Sequence, residues 1–149
     1  MPAVDGVLRS LVRAATGVFW LSFASQKWGG VDWMRPLIEG SAAHNPIPGL
    51  QPFLAAVVAP NWHLAALAQA AGETVAGVLL LVGLATGAAA WLGVVLGLGL
   101  SLTVAFELSD PGLRWLYYLA VLVNLAVAAG GPGTVALERI RGLPGWMAR

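Results

Sequence analysis

The sequence predicts an all-α integral membrane protein: a four-transmembrane-helix bundle with a long outer loop between helices 1 and 2. Three observations carry this. The chain is 58% hydrophobic and only 10% charged, against roughly 25% charged residues in soluble domains. Four apolar segments each approach the ~20 residues that a helix needs to cross a ~30 Å hydrocarbon core. None of them alternates as a membrane barrel strand does, and an open sheet in lipid would leave backbone groups unpaired.

Residues 1–149 read as a single membrane domain. The first helix is expected over about residues 7–27, the second over 61–84, the third over 88–107 and the fourth over 113–131. Between the first two lies the outer loop 28–60, and after the fourth a tail, 132–149. "LATGAAA" makes the tight second turn, and "ELSDPGL" supplies an Asp-Pro-Gly turn for the third. Within the outer loop, "PGLQPFLAAVVAP" is apolar but bracketed by Pro52 and Pro60. It is too short to span, so it is expected at the outer interface or dipping partway in. In the third helix Gly93, Gly97 and Ser101 recur every four residues and offer a close-packing face, as do Ala66, Ala70, Gly72 and Ala76 in the second. Trp62, Trp115, Tyr117 and Tyr118 fall near outer helix ends, where amphipathic rings favour the headgroup level; walls of a quinone or haem pocket are the lesser reading.

Orientation follows from Lys and Arg. Arg9, Arg13, Arg139, Arg141 and Arg149 lie on the side of the termini, and Lys27, Arg35 and Arg114 on the other. The excess places both termini in the cytoplasm. A cleaved leader is not expected, because residues 1–25 lack a small-x-small cleavage site and run on into Gln26 and Lys27.

Glu73 is the residue that demands explanation. It stands inside "AQAAGETVAGVLLL", where an ionised group costs about 2.5–3.5 kcal/mol on insertion scales. It should face the bundle with a partner. Arg13, Gly17, Trp20, Ala24 and Lys27 share one face of the first helix. Arg13 and Lys27 are roughly 21 Å apart along that helix, less than the hydrocarbon thickness, so at least one has its Cα at apolar depth. Either both snorkel to their own interfaces, or one turns inward to pair with Glu73. Gln69, Gln26 and Asn124 are further polar groups for such a network. A buried pair of this kind serves equally as a register device or as a proton or ligand site.

Other chemistries find little support. There is no cysteine, so disulfides, thiol redox chemistry and iron–sulfur ligation are excluded. The only histidines, His44 and His63, are not placed to hold a haem across the bundle. No His, Asp or Glu cluster has metal-ligand spacing. With a net charge of +1 and no basic run, no nucleic-acid partner is expected. Outside the membrane, Arg35 and His44 are candidates for attracting a small anion, with Lys27 beside them. The plainer reading of Arg35 is a charge-balanced loop face with Asp32 and Glu39.

"RAATGVFWLSFASQKWGG", "GETVAGVLLLVGLATG" and "GGPGTVALERI" together resemble the DoxX/DoxD family, in order and over nearly the whole chain. The shared features are an Arg, Gly-x-x-Phe and Gln-Lys pattern in the first helix, a Gly-Glu then Gly-Leu-x-Thr block in the second, and a Gly-x-Gly close after the fourth. The long segment "NPIPGLQPFLAAVVAPNW" is more similar to the DoxD branch, the membrane subunit of thiosulfate:quinone oxidoreductase. Gly87 and Thr134 stand where the family often carries Arg, so anion contacts at those positions are not carried over. The resemblance implies a bacterial or archaeal cytoplasmic-membrane subunit that works with the quinone pool, assembled with itself or with other subunits in the lipid bilayer. On that reading quinone is the cofactor and Glu73 the proton carrier at the catalytic centre, tuned by Arg13 or Lys27. The alternative is a non-catalytic anchor or scaffold in which the Glu73 cluster fixes helix register. A small-acid transporter is a weaker third, since no inverted repeat is present.

Overall fold

The structure, a computed structural model, describes residues 2–137. Among these residues every regular element is helical: α1 (Pro2–Trp28), α2 (Arg35–His44), α3 (Leu50–Phe53), α4 (Trp62–Val82), α5 (Thr86–Leu102) and α6 (Pro111–Gly130). Four stretches are long and apolar enough to cross a membrane: Val4–Trp28, Leu50–Val82, Thr86–Glu107 and Pro111–Gly130. The expected segments therefore appear, with one correction.

The expected outer loop, 28–60, is largely helical. A 3-10 turn, Asp32–Met34, leads into α2, and from Leu50 the chain runs through α3 and a π turn, Leu54–Val58, into α4. The two prolines read as breaks are each accommodated. Pro52 falls in the first turn of α3, where a missing N–H forfeits no helical bond. Pro60 follows the π turn, and the Asn61 amide donates to the Val57 carbonyl at 2.8 Å. α4, Trp62–Val82, matches the expected second helix, 61–84, and the helical run that leads into it extends the apolar stretch back to Leu50, 33 residues in all. Val31, Met34 and Ile38 bury against Ala66, with Val58, Trp62 and Leu67 around them, and so hold α2 against the start of α4.

The four long helices alternate in direction. α1 packs along α4, α5 lies between α4 and α6, and α1 meets α6 much more sparsely. Below, the far end of the bundle is the one that carries α2, and the near end is the one where α1 begins. The α4–α5 turn follows from Gly83, whose left-handed backbone (φ 72°) lets the Leu84 N–H return to the Leu79 carbonyl at 3.0 Å. α6 starts where Asp110 accepts from the Gly112 N–H at 2.7 Å, with Pro111 in the first helical position.

Small residues set the helix spacing. A Cβ on Gly17 would lie 2.6 Å from the Leu81 nitrogen and 2.8 Å from the Gly77 carbonyl oxygen, so α1 and α4 touch backbone to backbone. On α5, Gly93 and Gly97 are buried facing Asn124 and Val121 of α6. The closest α1–α4 approach thus uses Gly77 rather than Gly72, which instead faces Leu96 of α5. Gly99, by contrast, has open space around it. We predict that Gly17→Val and Gly77→Val each lower thermal stability in mild detergent by more than about 2 kcal/mol. Gly99→Ala should be neutral or stabilising by roughly 0.5–1 kcal/mol, and equal effects at all three positions would contradict backbone contact at Gly17.

Candidate functional site

α1 presents one buried stripe: Ser10, Arg13, Thr16, Gly17, Trp20, Ala24 and Lys27. Steps of three and four residues put polar groups at both ends and an aromatic ring between them. Each polar group meets a different partner.

At the far end Lys27 turns inward. Its Nζ donates to both carboxylate oxygens of Glu73, each at 2.8 Å, with the two side chains 3% and 0% exposed. Gln69, one turn earlier on α4, donates to Glu73 Oε1 at 3.0 Å. Lys27 also approaches the Phe23 carbonyl of its own preceding turn at 3.5 Å. The ammonium lies 5.4 Å from the ring centre of Phe23 and 6.0 Å from that of Trp33, at the outer range of cation–π attraction. Removing both charges from water is costly, and the pair is stable only because its geometry and hydrogen bonds are nearly complete.

A cavity of about 330 Å³ opens on this pair. Its polar lining comes from Lys27, Gln26 and Tyr117, and its apolar walls include Phe23, Trp33 and Met34. Glu73 stands behind Lys27, out of direct exposure. A second cavity, about 300 Å³, has Gln69 in its wall and shares Met34, Leu100 and Val104 with the first. An apolar chamber with a few convergent polar groups is the usual form of a small-molecule site.

Arg13 takes no part in this cluster. Its guanidinium donates to the carbonyls of Leu80 and Leu81 (3.0 Å to the latter) at the end of α4, and to Pro132 (3.1 Å) and Val135 (2.6 Å) beyond α6. The last carbonyls of α4 lack helical partners and carry the negative end of its dipole, which explains an arginine here. Asn124 is also separate. Its Oδ1 accepts from Trp20 Nε1 at 3.2 Å and its Nδ2 donates to the Ala120 carbonyl at 2.7 Å, across from Gly93. Of the residues considered for one polar network, Lys27 and Gln69 gather at Glu73, while Arg13 and Asn124 form two other junctions.

The suggested anion site does not gather. Arg35 donates to Glu39 at 2.8 Å and stacks its guanidinium 5.6 Å from the centre of Trp62. The hydrogen bond to Glu39, then that residue's charge, raises the Arg35 pKa above its ordinary value. His44 is exposed at the opposite end of α2, and Lys27 pairs with Glu73 rather than with either of them. Among the described residues no three His, Asp or Glu side chains come together as a metal site. Arg139, Arg141 and Arg149 lie outside the described residues.

Tyr117 is named by sequence reasoning among the rings that could line a quinone pocket, but Phe23 and Trp33 are not. Phe23 stands four residues before Lys27, a spacing that could have flagged it, and Tyr117 lies on the α6 face that continues through Ala120 and Asn124. Trp33 reaches the cavity only because residues 32–44 fold back over the bundle. No family model, curated protein or solved structure matches the chain.

We predict that Lys27→Met and Glu73→Leu singly cost about 3–5 kcal/mol of stability, each leaving a buried unpaired charge. The double variant should recover most of that loss in detergent unfolding measurements. Losses that simply add would show the two charges to be uncoupled.

Proposed function

We propose that this chain is a membrane-embedded subunit of a quinone-linked oxidoreductase, binding the quinone headgroup in the cavity beside Lys27 and Glu73. The observation that supports it best is a fully buried carboxylate, joined to a lysine that itself lines an aromatic-walled chamber. A quinone ring is flat and apolar and carries two carbonyl acceptors. The donor set fits those needs: the Lys27 ammonium and the Tyr117 hydroxyl for carbonyl oxygens, and Phe23 and Trp33 for the ring faces.

A bound quinone supplies two-electron acceptor chemistry that also takes up two protons. The residues of this chain would bind, orient and keep the site dry. Lys27 holds positive charge where negative charge develops on a carbonyl oxygen. Glu73, a carboxylate hydrogen-bonded directly to Lys27, would be the proton carrier behind it, taking up a proton from outside the site before passing it toward the headgroup, and Gln69 fixes the carboxylate's orientation. Electrons come from a partner subunit. The resemblance to the DoxD branch favours thiosulfate as the ultimate donor, and the Lys and Arg distribution favours termini in the cytoplasm of a bacterial or archaeal cell.

The second reading, a non-catalytic anchor, draws on the same pair. Lys27 and Glu73 satisfy one another, as a device that only fixes helix register would require. Quinone content separates the two. Gently purified protein should carry extractable quinone, and Tyr117→Phe, which leaves the ion pair intact, should lower retention or affinity roughly three- to tenfold. Glu73→Gln should retain assembly but lose quinone-dependent turnover. Protein without quinone, whose Glu73→Gln variant merely fails to assemble, would favour the anchor.

A further inference from the structure

The sparse meeting of α1 and α6 leaves a seam. At the far end the seam closes on the chamber beside Lys27, where the Phe23 and Tyr117 rings stand 6.2 Å apart. Toward the near end it opens into a separate cavity of about 340 Å³, walled by Val12, Ala15 and Phe19 of α1 and by Leu116, Ala120 and Val123 of α6. Leu116 is common to both cavities, and Phe19 stacks 4.7 Å from Phe23. The two spaces are thus successive parts of one groove along the helices.

Their chemistry is divided. The chamber at Lys27 holds an ammonium, an amide and a phenol. The seam offers hydrocarbon, because each polar side chain along it is committed to a partner within the protein. Thr16 Oγ donates to the Val12 carbonyl at 2.8 Å, and the Asn124 amide is engaged by Trp20 and Ala120. Val12, Ala15, Leu116 and Val123 are exposed, so the groove opens sideways on the bundle surface. From Val12 to Lys27 the groove runs about 22 Å along α1, the reach of a long hydrocarbon chain.

We propose that the seam is the tail channel of the Lys27 site. The ligand is a long-chain amphiphile, an isoprenoid-tailed quinone if the functional reading above holds. It enters laterally between α1 and α6, seats its polar ring beside Lys27 and lays its tail against Phe19, Ala15 and Val12. A soluble ligand arriving from the α2 side would need no such groove.

The test fills the seam without touching the chamber, using Ala15→Trp and, at the neighbouring exposed position of α6, Leu119→Trp. Protein in nanodiscs is titrated with menadione, which has no tail, and with a menaquinone bearing a four-isoprene tail. The parent should bind the tailed compound more tightly. In either variant that affinity should fall by about tenfold or more while menadione binding stays within about twofold. Thermal unfolding identifies variants that remain folded, and Leu119→Trp carries the comparison if Ala15→Trp does not fold. Unchanged affinity for the tailed compound in both variants, or equal loss of both compounds in a folded variant, overturns the tail channel. A parent that binds menadione as tightly as the tailed compound overturns it too, leaving the head site standing. A parent that binds neither compound overturns the quinone reading itself.

Discussion

Two opposite charges inside an apolar bundle must meet, and the packing of α1 on α4 is built around that requirement. Lys27 and Glu73 pair toward one end of the interface, Gly17 and Gly77 let the backbones touch in its middle, and Arg13 grips the Leu80 and Leu81 carbonyls at the other end. A slip of one helical turn would break all three at once. It would leave an ammonium and a carboxylate unpaired, push glycine faces against larger side chains and free the last carbonyls of α4. Register is therefore determined by electrostatics at the ends and sterics in the centre, which reinforce one another.

The opposite side of the bundle is built by a looser rule. α5 and α6 approach through Gly93 and Gly97, and the buried Trp20–Asn124 hydrogen bond links α1 to α6 in the same layer. Besides that bond, α1 and α6 meet at the Phe23–Tyr117 rings above it and where Arg9 donates to the Gly130 carbonyl at 2.9 Å, and elsewhere they pack sparsely. The tight α1–α4 face holds Lys27 rigidly, and the open α1–α6 face gives it a chamber. The division of labour between a stiff interface that positions charge and a loose one that admits a ligand underlies the functional reading proposed above.

Much of this was legible in the residues. Helix count followed from segment length and apolar content, and the buried face of α1 from its period of three and four. The span of Arg13 to Lys27, shorter than a bilayer core, already required that one of them sit at apolar depth. Which one pairs with Glu73 depends on where along α4 the carboxylate falls opposite α1, a tertiary fact that spacing within one helix does not contain. Arg13 found carbonyls because α4 ends beside it. Pro52 does not break the chain, since a proline in a first turn forfeits no helical bond, whereas Pro60 does mark the irregular 3-10 turn, Ala59–Asn61, just before α4. Tyr117 could be read as an interfacial ring or as a pocket wall, and only the fold decides, because the cavity it lines depends on α2 folding back toward the bundle.

The order in which the partners emerge during synthesis has its own consequence. Glu73 follows Lys27 by 46 residues, and Val135 follows Arg13 by 122. At about 5–20 residues per second, a nascent chain waits about 2–9 s for the carboxylate and longer for the last carbonyl that Arg13 grips. If α1 entered a bilayer directly on emergence, Arg13 and Lys27 would both do so without their partners. Its stable placement is then deferred until α4 arrives, so that α1 and α4 behave as one insertion unit, and the segment beyond α6 completes the grip on Arg13.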